Sequence, residues 1–464
     1  MITKLFIPEN LDMDQYIAVH PPIFKFKKEY FYYILHLLTE IPAHNKDLRG
    51  KEFIPINAAR LQKVVHEYKK YLSYLIYWHI IESDDYFIEG EKSTGYRFTS
   101  PYRTLVKEVP ITLFTLAKSI QKVKISSSGT TKYQHLRKFF NASFQIDDTL
   151  ARRYLKETYE IDVSNGNPYA FQAYNASLLN VNRLRDQDFY FSVDDTGNRL
   201  HTNLTNLKSD LRMFLKYDNK SLVSVDITNS QPLLSTTLLK PEFYSTVTTT
   251  PFSYEYLNRI LSKPLQITTP TFNTITHTPT LTLAENQESA VNTGVSDISV
   301  FNEKVTTGII YEFIIDALKN GTPSININRP TAKTMVFTVL FSDNRFIGQP
   351  EAYPKRLFKE LFPSVYDIFA QIKRKSHNSL AILLQKIESH LMLDFVAARI
   401  TKECPKLPIF TIHDSIVTTT GNEQYVSRII CEEMQRCIGV QPKLKLEYWS
   451  PKVIHMFTEK KEVA

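Results

Sequence analysis

The sequence predicts an α+β architecture with more than one domain, and three observations lead there. The chain has 464 residues, too many for one ordinary core, so two or three domains are expected. An apolar run at 222–227 reads as a buried strand leading into a helix that opens near Asn229-Ser230-Gln231-Pro232, with Pro tolerated in the first turn. Two β-rich runs, 409–412 and 416–420, bracket His413-Asp414-Ser415, the layout of a tight hairpin with a carboxylate near its tip.

Composition narrows the function classes. A hydrophobic content of 43% with 22% charged residues is that of a globular chain, not a disordered one. No run of roughly 18 apolar residues is present, so no membrane span is expected, and the first residues lack the apolar core of a signal peptide. Three cysteines (Cys404, Cys431, Cys437) without ligand-like pairing fit a reducing cytoplasm and not a zinc site. Only 12 glycines occur, and no cluster of them could form a P-loop or dinucleotide-binding loop. The net charge of +8 is a mild pull towards polyanions.

Taken in order, residues 1–105 begin with an amphipathic segment at 30–38. A short helix follows, capped by Asn57, then a second over 68–78 with Tyr71, Leu72, Leu75, Ile76 and Trp78 on its apolar side. Runs at 80–82 and 86–88 meet 96–99 across a polar loop, as a hairpin. This order resembles a winged-helix domain, in which Lys63, Lys69, Lys70, Lys92 and Arg97 could meet phosphates; a winged helix used for protein contact is the alternative. Residues 106–215 read as a mainly helical region, with helices at 112–123 and 134–144. Arg199 sits among Asn, Thr and His side chains suited to sugar and phosphate contacts. From about 241 to 300 a Thr/Pro-rich stretch reads as an insertion, partly extended or disordered. Helices are expected again at 300–315 and 380–400, the latter carrying Gln385 and Glu388 on adjacent turns.

Three stretches carry the chemistry. Asp226 ends the apolar strand, where an unpaired charge would cost several kcal/mol, so it needs a cation, a hydrogen-bond set or a metal. The plain alternative is an Asp accepting backbone N–H bonds at a strand-to-helix turn. In the second stretch, Asn328 caps a helix with Pro330 in its first turn, and Arg329, Lys333, Phe337 and Phe341 recur every four residues. Each step rotates about 40° beyond a full turn, so the four form one slanting stripe. Two cations followed by two aromatics suit a nucleoside triphosphate, although an amphipathic helix with core Phe and solvated cations fits the same pattern. The third is His413-Asp414, where no nucleophile-elbow sequence accompanies the pair and a metal-binding Asp is the better functional reading. Two carboxylates at strand ends can share two Mg²⁺ ions that serve an attacking hydroxyl and a leaving pyrophosphate.

These stretches, in this order, resemble motifs A, B and C of family A DNA polymerases and the related single-subunit RNA polymerases. The resemblance covers roughly residues 190–450. Arg329, Lys333, Phe337 and Phe341 match the motif B frame, with Phe341 in place of its Tyr; Thr196-Gly197-Asn198-Arg199 is similar to the segment before motif A that contacts primer–template. The resemblance implies a right-hand polymerase: a palm with an antiparallel sheet, with fingers, over 216–464, a thumb-like region over 106–215, and the winged-helix-like segment ahead of both. It implies that Asp226, Asp414 and the Ile227 carbonyl hold two Mg²⁺ ions, with Mn²⁺ as a possible substitute. It further implies that Lys333 acts on the triphosphate as a catalytic group, with Arg329, Phe337, Phe341 and Gln231 around the nucleotide. Arg199, Gln385 and His413 would face primer–template DNA, and the activity would be addition of dNTPs to a primer 3′ end, in a mobile element, plasmid, phage or defence locus.

The departures bear on sugar choice. The DNA enzymes of the family carry Glu five residues after the motif A Asp, as a steric gate, and here that residue is Gln231. Phe341 lacks the hydroxyl with which the RNA enzymes read a 2′-OH; both points favour dNTPs, whereas Ser415 after Asp414 is the RNA-enzyme residue. A single-subunit RNA polymerase and a non-catalytic DNA-binding replication initiator on a polymerase-like scaffold are the competing readings.

Overall fold

The computed structural model describes residues 4–89, 92–127, 132–245, 252–260, 267–272, 296–321, 327–345 and 347–450. The fold is mixed α+β and divides into two compact units, one of residues 1–192, 201–222 and 449–464, the other of residues 193–200 and 223–448.

In the first unit, strand Lys4–Pro8 pairs antiparallel with Val106–Pro110. Helix Lys28–His44 buries Phe31, Tyr33, Ile34 and Leu35 against Tyr71, Leu72 and Leu75 of helix Tyr68–Tyr77. The Asn57 side chain caps helix Ala58–Val64 by accepting from the Arg60 N–H at 2.9 Å, as expected. Strand Gly95–Phe98 lies between Ile54–Pro55 and Ile81–Ser83. The residues at 86–88 do not join this sheet as the sequence suggested; only Ile88 bridges, to Lys92. Asp84 explains the early end, because its carboxylate accepts from both Tyr86 N (3.1 Å) and Gly95 N (2.8 Å) and closes the turn there.

The helix expected at 134–144 is one turn, Gln134–Arg137. Asn141 stops it: its amide donates to the Lys138 carbonyl at 2.8 Å and its Oδ1 accepts from Ser143 N at 2.8 Å, an Asx turn that competes with helix propagation. Phe144–Ile146 then forms a strand against Leu215–Tyr217, which also pairs with Lys220 and Ser221. Helices Asp148–Ser164, capped by Asp147, and Ala170–Arg185 fill the space between in sequence.

The second unit takes strand Lys220–Ile227 from Val223 onward, with Val223, Ser224 and Val225 buried, and the strand pairs with Ser415–Thr419 and with Leu444–Trp449. Ile409–Ile412 and Ser415–Thr419 form the expected hairpin, in register Ile412↔Ser415. The helix expected at 300–315 is two, Asp297–Thr306 and Ile310–Gly321, broken at Gly308, whose φ of +75° is open to glycine at little cost. Phe301 anchors this part of the core against Phe358, Phe362 and Phe369 of helices Tyr353–Leu361 and Pro363–Ile372.

The helix expected at 380–400 is α-helical over Ser379–Ser389, π-helical over His390–Ala397 and α-helical again over Ala398–Glu403. So long a π stretch is rare. It carries His390, which bonds Asp394 at 2.6 Å and packs against Phe252, Tyr256 and Phe395. Most of the Thr/Pro-rich stretch lies outside the described residues. Its described parts include helix Tyr254–Ile260 and buried Phe243, Phe252, Leu257 and Ile267, so apolar side chains order them where no helical period was visible.

Candidate active site

Asp226 is the penultimate residue of a strand buried on both faces. Its side chain escapes full burial while Val225 and Ile227 do not, and Ser224 Oγ donates to its Oδ1 at 3.0 Å. The turn that follows differs from expectation. Asn229 stands at the N-cap position of helix Ser230–Ser235, but with φ +55° its side chain makes no capping bond. Ser230 instead hydrogen-bonds the Asp414 carboxylate.

Asp414 follows His413, whose φ of +55° makes the tight corner of the hairpin. The Ile227 N–H points at the Asp414 carbonyl over 3.4 Å, so the ends of the two adjacent strands meet here. Burial pushes the Asp414 carboxyl above the usual carboxylate range. The negative charge of Asp226 adds to that push, while the bond from Ser230 and the positive charge of Arg199 oppose it. A carboxyl whose ionisation is opposed by burial and by a second carboxylate beside it is a natural seat for positive charge.

Beside them lies Glu388, with a side chain only 3% exposed. Its Oε1 accepts from Arg199 Nη2 at 2.7 Å and Nε at 3.1 Å, and its Oε2 accepts from Gln231 Nε2. Burial outweighs these bonds and, together with the charge of Asp414, raises the carboxyl to about 7. Arg199 is delivered by a tight loop in which the Asp194 carboxylate accepts from the N–H groups of Thr196 (2.9 Å), Gly197 (2.6 Å) and Arg199 (3.2 Å). Gly197 lies close to Gln385: a Cβ there would stand 2.8 Å from Gln385 Oε1 and 3.1 Å from its Cβ, so the Gln385 side chain would have to shift. Arg199, Asp226, Gln231, Gln385 and Asp414, from four separate stretches of the sequence, are therefore gathered in one place.

The stripe residues stand on helix Arg329–Phe341, whose Asn328 cap accepts from Thr331 N at 3.0 Å. Ala332, Met335, Val336, Val339 and Leu340 form its buried face, leaving the stripe outward. Lys333, Phe337 and Phe341 line an open groove of about 430 Å³, with Lys333 Nζ 5.5 Å from the Phe337 ring and Phe337 5.4 Å from Phe341. Arg329 pairs with Glu312 at 2.8 Å, an exposed contact of small energetic weight. The helix packs against Ser379–Ser389, which carries Gln385 and Glu388. Lys373 holds its far end, donating to the carbonyls of Val339 (2.6 Å) and Ser342 (3.0 Å), and burial lowers that ammonium to about 8. None of the described contacts joins the four stripe residues to the two aspartates.

Of the basic residues singled out near the N-terminus, three are already matched by carboxylates: Lys70 by Glu67, Lys92 by Asp84, and Arg97 by Glu52 and Glu82. Lys63 and Lys69 are exposed. Sequence reasoning noted Glu388 one turn beyond Gln385 but gave it no role, although an acidic residue on so apolar a helix was a usable signal.

The chemistry of the donor set fits a divalent cation. Among the described residues no group of three or more His, Cys, Asp and Glu side chains could hold a metal. Mg²⁺, however, binds through one or two carboxylates with waters and substrate phosphates completing its shell, and Asp226, Asp414 and the Ile227 carbonyl match that demand. Among the described residues, no helix is long and apolar enough to cross a membrane.

No protein-family model matches the chain, and no curated protein matches it in sequence. Its structure is similar to the POL domain of Pol1 from M. smegmatis, solved in complex with DNA primer-template and dNTP. The likeness covers 72% of this chain and 73% of that one, with 10% sequence identity and a TM-score of 0.32. At that level it assigns neither activity nor substrate.

Proposed function

We propose that the chain is a Mg²⁺-dependent nucleotidyltransferase, a DNA polymerase that adds dNTPs to a primer 3′ end. The observation that carries this reading is the meeting of Asp226 and Asp414 at the ends of adjacent strands, with Asp414 pushed up by burial and by its neighbour's charge. Arg199, Gln231 and Gln385 stand around that pair, and the Arg329–Phe341 helix packs against the element carrying Gln385.

In this reading Asp226, Asp414 and the Ile227 carbonyl hold two Mg²⁺ ions. Bound there, the ions supply Lewis-acid activation of a hydroxyl and charge stabilisation of a leaving pyrophosphate. Lys333, exposed at the mouth of its groove, meets the triphosphate and can donate a proton to the pyrophosphate; Arg329 binds phosphate once it leaves Glu312. Phe337 and Phe341 line the base and sugar side, and the buried bulk of Gln231 excludes a ribose 2′-OH. Arg199, Gln385 and His413 contact primer and template. The helical region of 106–215 serves as the thumb. The 1–105 segment is a winged-helix-like domain in which Lys63 and Lys69 meet nucleic acid directly and Lys70, Lys92 and Arg97 do so by leaving their carboxylate partners.

The test is incorporation of labelled nucleotide on a primed template with Mg²⁺ or Mn²⁺. Extension with dNTPs supports the reading, and extension with NTPs alone makes the chain an RNA polymerase. Binding of the primed template without extension by any nucleotide set leaves the non-catalytic initiator.

A further inference from the structure

We infer that Glu388 is a positioning residue for sugar selection: it fixes the orientation of the Gln231 carboxamide and ties that residue to Arg199. This rests on the reading of the site given above. The two oxygens of Glu388 are divided, Oε1 taking Arg199 and Oε2 taking Gln231. Gln231 donates to Glu388 Oε2 through Nε2, so the NH₂ end of its amide faces Glu388 and the carbonyl end faces away. That carbonyl oxygen, Gln231 Oε1, is buried and has no hydrogen-bond partner among the described residues. The residue as a whole is 9% exposed. The three side-chain torsions of a glutamine would otherwise leave this acceptor free to turn. Held by Glu388, it presents a fixed acceptor and a fixed bulk beside the strand end that carries Asp226.

The arrangement also accounts for glutamine, and not glutamate, at 231. A glutamate at that position would lack the N–H that Glu388 Oε2 accepts and would set a second carboxyl against it. The carboxyl group that the resemblance expects at position 231 stands instead on the neighbouring helix, where it accepts from Arg199. Exchanging the two residues keeps every bond: in Gln231→Glu/Glu388→Gln, the new amide at 388 can still accept from Arg199 through its oxygen and donate to the new carboxylate at 231.

The experiment compares native protein, Glu388→Ala, Gln231→Glu and the double exchange on one primed template. One readout is the ratio of kcat/KM for a dNTP over the matching NTP. The other is the affinity ratio for the same two nucleotides in complexes with a dideoxy-terminated primer, which reads binding without turnover. Glu388→Ala and Gln231→Glu should each lower both ratios by about ten-fold or more, the scale of a hydrogen bond to a charged group. The exchange should restore them to within about three-fold of native. A native protein that discriminates sugars, with Glu388→Ala discriminating equally well or the exchange no better than Gln231→Glu, overturns the inference and leaves the proposed function standing. A native protein that incorporates nothing overturns both.

Discussion

Replacing Glu388 by Gln removes one titration from the fold, and the size of the effect follows from its surroundings. The groups facing it are Arg199, Gln231 and Asp414, and burial is the largest influence, holding the carboxyl at about 7 against 4.5 for an unperturbed glutamate. The folded protein therefore keeps a proton that the unfolded chain has already released. Folding stability falls as pH rises through this interval, because the folded state binds more protons, and it levels off above about pH 7. An interval of about 2.5 pH units at about 1.4 kcal/mol each gives a loss of about 3 to 4 kcal/mol. Far-UV circular dichroism in urea, at half-unit steps from pH 4.5 to 8, would measure it as the stability of the native protein relative to Glu388→Gln. That difference should move steadily against the native protein up to about pH 7 and then stay flat. A difference independent of pH, or one that moves in the native protein's favour, refutes the reasoning, since it would mean that Arg199 holds Glu388 ionised throughout.

Two further outcomes follow from the same structure. Asn328→Ala should destabilise helix Arg329–Phe341 by about 1 kcal/mol, because the Thr331 N–H and hydroxyl both lose their acceptor; faster amide exchange confined to the first turn of that helix would show it. Phe301→Ala, at a fully buried position among Phe358, Phe362 and Phe369, should cost about 3 to 5 kcal/mol in urea denaturation, and a loss below 1 kcal/mol would contradict that packing.

Much of the second unit was legible in the sequence because its signals are local. The strand before Asp226, the hairpin around Asp414 and the Asn328-capped helix each carry their own pattern of apolar runs, turn residues and capping. The gathering of Arg199, Gln231 and Gln385 near the aspartates was reached only through the order of motifs, not through any physical signal within one segment. What escaped was set by tertiary detail. Asn229 looks like a helix cap, yet its left-handed backbone leaves the capping bond unmade and Ser230 turned to Asp414. Gly308 splits an unbroken apolar periodicity into two helices. The π-helical turn at 390–397 has no pattern that distinguishes it from α-helix. Glu388 reads as an ordinary helical glutamate until Arg199 and Gln231 arrive from 189 and 157 positions away. Charge counting near the N-terminus could not show that Lys70, Lys92 and Arg97 are paired with carboxylates, because those partners are set by tertiary contacts and turns.

The central claim is that Asp226 and Asp414 together make a nucleotidyl-transfer site. Extension of a labelled primer by the native protein, Asp226→Asn and Asp414→Asn, alongside filter binding of the same primed template, tests it most directly. Extension by the native protein, abolished in both variants while template binding persists, is the predicted result. Extension that survives either substitution, or a native protein that binds the template and never extends it, contradicts the account.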